Sequence, residues 1–179
     1  MVEQLLSLTG VIGIVSAISM IITPGFVSGV YKTDTPISEM NPDSVFSKVF
    51  ILGLLVSGSS QALFALYLLN TYDLRSQKAG LGICVLAGVC CATLAIFRGD
   101  THPYTHGYLA KGYFTLALLG GLLFQVTTAI HGKHDIIGFL LIGVNVIGIL
   151  YIFVGRNSKF WAEVWGISLI LAWYFHFYL

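Results

Sequence analysis

The sequence predicts an all-α, polytopic integral membrane bundle with about six transmembrane helices, on three observations. Charged residues make up only 9% of the 179 positions, against about a quarter in a soluble domain. The apolar set reaches 56% and the mean hydropathy is +0.87. The charges are also clustered. None falls between Glu3 and Lys32, Lys48 and Asp73, Lys78 and Arg98, Lys111 and Lys133, or Asp135 and Arg156, nor after Glu163. A bilayer core about 30 Å thick takes roughly 20 apolar residues at 1.5 Å each, which is the length of those gaps. No strict alternation marks a membrane strand, so the backbone of each span must satisfy itself as a helix. One transmembrane domain over 1–179 is expected, with helices near 5–26, 42–69, 79–97, 112–130, 136–154 and 160–178.

The first apolar run has no Lys or Arg in its leader and exceeds a signal-peptide core, so it reads as a retained helix, bent or ended at Pro24-Gly25. Asn41-Pro42-Asp43 reads as an N-cap, a first-turn proline and an acid at the positive helix end. Arg98-Gly99-Asp100 closes the third helix. The segments from His131 to Asp135 and from Gly155 to Lys159 read as tight turns between antiparallel neighbours. Trp161, Trp165, Trp173, Tyr174 and Tyr178 on the last helix match interfacial aromatic belts.

Six crossings put both termini on one side, here called side A, with Arg75, Lys78 and Lys133. Lys32, Lys48, Arg98, Lys111, Arg156 and Lys159 lie on side B. That bias makes side B the cytosolic, matrix or stromal face and leaves the termini on the non-cytosolic side.

Lipid tails give apolar helices no hydrophobic reason to associate, so packing must come from small residues and a few hydrogen bonds. Gly80, Cys84, Gly88 and Ala92 form one small stripe; Gly53-Ser57, Ala117-Gly121 and Ala162-Gly166 repeat the spacing. Cys84, Cys90 and Cys91 have no C-x-x-C spacing and read as packing residues. Gln61, Gln125 and Asn145 are amides at membrane depth and must point inward, as interhelical hydrogen bonds or as a polar belt lining a ligand pocket. Thr127 and Thr128 accompany Gln125.

Two histidine groups are candidate metal sites. His131, His134 and His176, with Asp135 or Asp73 nearby, lie on side A; Asp100, His102 and His106 lie on side B, where Pro103 disfavours a helix through both rings. His131 and His176 are the one pair at similar depth that could hold a haem, and Asn, Gln or His could ligate a pigment's magnesium, although no motif calls for a cofactor.

Several membrane chemistries lack their residues. Five histidines on opposite faces are too few for a di-iron desaturase. No span carries an intramembrane-protease pair, a retinal lysine or a paired Asn-Pro-Ala turn. Glu163 is the one acid placed within a span, and Lys159 lies one turn before it. The balanced net charge of +1 implies no nucleic-acid partner. The first functional expectation is therefore a non-catalytic accessory, assembly or scaffold subunit packed among other membrane-protein subunits. The alternatives are a small-solute or lipid transporter or channel using the Gln61–Asn145 belt, and an enzyme or sensor at a histidine loop.

Overall fold

The computed structural model describes residues 2–32, 36–41, 43–132, 135–155 and 159–177, with backbone alone for Val2, Glu3, Asn145, 148–155 and Lys159. The described residues are helical, with no strand: α1 (Val2–Ser16), α2 (Thr23–Val27), α3 (Val45–Thr71), α4 (Arg75–Thr93), α5 (Pro103–Ile130), α6 (Ile136–Gly155) and α7 (Lys159–His176). Four helical stretches among them are long and apolar enough to cross a bilayer: Gln4–Val27, Val45–Thr71, Arg75–Thr93 and Pro103–Ile130. The chain is a multi-pass integral membrane bundle.

Pro24 lies inside the first span, which runs on past it to Val27. Pro24 has no N–H for the Met20 carbonyl, and its ring would press on that oxygen. The chain absorbs the conflict with a π-helical segment, Ala17–Ile22, that joins α1 to α2. Thr23 closes the widened turn, its amide and its Oγ1 (2.8 Å) both donating to the Ile18 carbonyl. Met20 then lies over Gly53 of α3, its carbonyl oxygen 2.9 Å from where a Cβ would stand.

Helix ends differ from the sequence expectation in four places. Helix α3 begins at Val45, capped by Ser44 Oγ accepting from Ser47 N at 3.0 Å, whereas Asn41 Oδ1 instead holds the Asp43 amide in a local turn. Helix α4 starts and stops one turn early, at Arg75 and Thr93. Helix α5 starts at Pro103 rather than Gly112, because proline is tolerated at the first helical position, where an N–H has no partner anyway. The His102-to-His106 step is thus helical, with His106 N donating to His102 O at 2.9 Å. At the other end of α5, Gly132 takes φ +77°, a left-handed turn open to glycine without strain.

Helix α3 is the central element: 56% of its apolar window is buried, against 28% for the first span. Its contacts with α4 run through bare backbone. A Cβ on Gly58 would strike the Ala92 amide, and one on Gly88 would lie 2.6 Å from Ala62 N. The small stripe on α4 divides its work. Gly88 and Ala92 seat α3, whereas Gly80 and Cys84 seat α5, where a Cβ on Gly80 would be 2.7 Å from the Gly120 carbonyl. Gly120, not Gly121, makes that approach; Gly121 faces Ile142 and Trp173.

These contacts sort the connections into two ends. The 36–40 segment, the 98–106 region and the start of α7 meet at one end, through Gly99 against the Ser38 carbonyl and Glu163 on Ile37. Tyr72, Phe124, Asp135 and the end of α7 meet at the other. The first end carries the side B loops and the second the side A loops. Trp173 and Tyr174 are 5% and 2% exposed, packed with Phe64, Phe124 and Phe177 in a side A core, and so do not join the expected aromatic belt. Trp161 and Trp165 do face outward, and Tyr178 lies outside the described residues.

Candidate functional site

A cavity opens at the side B end and narrows toward the bundle centre. Its mouth, about 310 Å³, lies between α3, the end of α4, the start of α5 and the 38–40 segment. The rim is polar, with Ser38, Glu39, Arg98, Asp100 and His106; the walls are apolar, with Met40, Phe50 and Leu54. Adjoining it is a chamber of about 40 Å³ that shares Ser38, Phe50, Leu54, Leu94 and His106 with the mouth. Ser57, Gln61, Tyr113 and Glu163 give this apolar chamber a polar floor, and Ile21 of the π segment lines it too.

Each polar group has a reason for its position. Arg98 grips Asp100 with two bonds, Nε to Oδ1 at 3.0 Å and Nη2 to Oδ2 at 2.8 Å, a pair about one third exposed. His106 Nδ1 donates to the Phe97 carbonyl at 2.8 Å, because a carbonyl only accepts. That bond fixes the ring on the cavity wall and puts the neutral tautomer's acceptor at Nε2. Glu163 Oε2 accepts from Ile37 N at 2.7 Å and Oε1 from Ser38 Oγ at 3.0 Å, so the carboxylate holds the short Ile37–Glu39 turn over the bundle. Gln61 is 3% exposed; its Nε2 donates to Ser57 Oγ at 3.0 Å and its Oε1 accepts from Tyr113 Oη at 3.2 Å. Ser57 in turn donates to the Gly13 carbonyl at 3.0 Å, tying α3 to α1.

The side A amide has a separate network. Gln125, fully buried, donates from Nε2 to Asp135 Oδ2 at 2.7 Å. Asp135 Oδ1 accepts from Gly138 N at 2.9 Å, capping α6, and meets His176 Nε2 at 2.7 Å. Glycine at 138 leaves room for this arrangement, since a Cβ there would displace the Gln125 amide and the Asp135 carboxylate from each other. Burial works against the Asp135 charge, but the bonds from Gly138, Gln125 and His176 outweigh it and hold the carboxyl below its ordinary 3.8. Gln125 Oε1, His176 Nδ1 and Trp173 Nε1 are buried without a hydrogen-bond partner among the described residues. Gln77, 2% exposed, adds a bond to Thr128 Oγ1 at 2.8 Å.

The sequence candidates therefore disperse. Gln61 and Gln125 belong to two networks at different depths, and the Asn145 side chain lies outside the described residues. His131 bonds the Thr127 carbonyl through Nδ1 at 2.8 Å, while His176 is held by Asp135; His134 lies outside the described residues. On side B, His102 is exposed beside Thr101, His106 is turned to Phe97, and Asp100 is paired with Arg98. Among the described residues no three His, Cys, Asp or Glu side chains converge as metal ligands would. Tyr113 and Gln77 were missed because one looked like an ordinary aromatic of a span and the other lay before the apolar run. Glu163 was visible, yet its partners lie over 120 positions away, beyond what spacing can reveal.

Residues 10–179 match a family described as "Protein of unknown function (DUF998)". No curated protein and no solved structure matches the chain.

Proposed function

The chain belongs to the DUF998 family, a membership that assigns no activity, and we propose that it is a membrane-embedded binding or carrier protein for a small molecule entering from side B. The observation that supports this reading is the funnel itself: a mouth of about 310 Å³ leading to a polar floor among five helical segments. Small-molecule sites are concave, mostly apolar and carry a few convergent polar groups, which describes this space. A scaffold subunit whose work is packing would gain nothing from a cavity between its central helices, where lost contacts cost stability. In this reading the chain crosses the membrane six times, and side B, richer in basic residues, faces the cytosol, matrix or stroma.

Native mass measurement after gentle detergent extraction tests it. One small-molecule adduct per chain is expected, lost when Ile51→Trp fills the mouth from the half-buried wall of α3. A bare chain, or an adduct unchanged by Ile51→Trp, overturns the reading. A complex with different polypeptides and no small molecule would return the accessory-subunit function to first place.

A further inference from the structure

The charges and acceptors around the funnel narrow the chemistry of the ligand, on the premise that the funnel is a binding site. Arg98 is the one Lys or Arg side chain lining either space among the described residues, and Asp100 engages it with two bonds at the rim. The other carboxyl groups, Glu39 at the mouth and Glu163 at the chamber, have no Lys or Arg beside them in either lining apart from Arg98. The Glu163 carboxylate is held by the Ile37 amide and the Ser38 hydroxyl, both neutral donors. Two carboxylate oxygens offer about four lone-pair sites, so acceptor capacity is left over. A cation brought beside a carboxylate in such a partly dry space stabilises its charged form.

The rest of the chamber is built to accept as well. His106 spends its Nδ1 proton on Phe97, so the neutral ring has only an acceptor left. Phe50, Tyr113 and Phe114 line the chamber, and aromatic faces attract cations. Its volume of about 40 Å³ compares with about 10–15 Å³ for one water on the same measure, room for roughly three waters. A compact NH₃⁺ end suits that space better than the bulkier trimethylammonium end.

We infer that the funnel takes a primary ammonium compound, its NH₃⁺ group seated in the chamber against Glu163 and His106 and the rest of the molecule in the wider mouth. The ammonium can belong to a free amine or to a lipid headgroup.

The test is a binding titration of the purified wild-type chain with ethanolamine, choline and ethylene glycol, which vary the charge and bulk at one end of a two-carbon unit. Ethanolamine is expected to bind at least tenfold tighter than either of the others, and Glu163→Gln to remove that preference. Equal binding of choline or ethylene glycol overturns the ammonium assignment while leaving the binding-protein reading intact. If none of the three binds and no native adduct is found, both fall. The wild-type comparison needs no variant, so a Glu163→Gln chain that fails to fold leaves the outcome decided. Repeating the titration in nanodiscs of phosphatidylethanolamine and of phosphatidylcholine separates the sources: competition by phosphatidylethanolamine alone supports a lipid headgroup, and competition by neither supports a free amine.

Discussion

Each end of the bundle holds one carboxylate by backbone amides, and the two are completed in opposite ways. At side A, Asp135 caps Gly138 and is closed by Gln125 and His176, groups of the chain itself. At side B, Glu163 caps Ile37 and Ser38 and then faces a cavity, with no basic side chain on it among the described residues. The same functional group with the same kind of anchor therefore serves as a clasp at one end and as an open acceptor at the other. What differs is the space beside it: at side A a glycine at 138 lets the Gln125 amide come down onto the carboxylate, whereas at side B a chamber lies beside it.

The largest expected effect strikes the frame that both ends share. Gly58→Leu drives a side chain into the Ala92 backbone, which cannot rotate away as a side chain could. Overpacking costs about 1–3 kcal/mol where side chains can yield, and more is expected here. Size-exclusion profiles and detergent unfolding should show the folded bundle lost; a variant that unfolds like wild type would remove the α3–α4 backbone contact from the frame.

Next, Asp135→Asn and Glu163→Gln should separate the ends. Breaking a buried pair costs 3–5 kcal/mol, and the Asp135–His176 side chains are 20% and 18% exposed, so a loss of about 2 kcal/mol is expected. Glu163→Gln keeps one of the two acceptor oxygens and gives up no bonded cationic side chain, so a smaller loss of about 1 kcal/mol is expected. Equal losses in unfolding titrations would erase the distinction. Acid sharpens it. Asp135 has a lowered folded pKa, so its contribution is present above the ordinary value of 3.8 and is lost as pH falls below it through the folded value. Wild type should lose stability over that range, and Asp135→Asn should lack that component.

The smallest effect concerns the floor of the funnel. Tyr113→Phe deletes the donor to Gln61, worth about 0.6 kcal/mol for a hydrogen bond between membrane helices. Detergent unfolding should barely move; a loss several times larger would mean that the chamber floor clasps the helices as tightly as Asp135 does.

The solvent and the helical class were legible because they follow from composition and from the spacing of charges, which a bilayer constrains along the chain itself. The small stripe of α4 was legible for the same reason, since a four-residue step lies on one helix face. Its division between two partners was not: Gly80 and Gly88 look alike in sequence, and only the packing of α5 on one and α3 on the other assigns them. The aromatic residues at the end of α7 misled for a related reason, because an interfacial Trp and a buried one carry the same letter.

By itself, then, the sequence determined the membrane, the helices and the need to bury a few amides, each a consequence of local chemistry meeting hydrocarbon. Tertiary structure alone decided which carboxylate was closed and which stayed open. That choice depends on contacts such as Glu163 with Ile37, made between segments that meet only once the helices have packed.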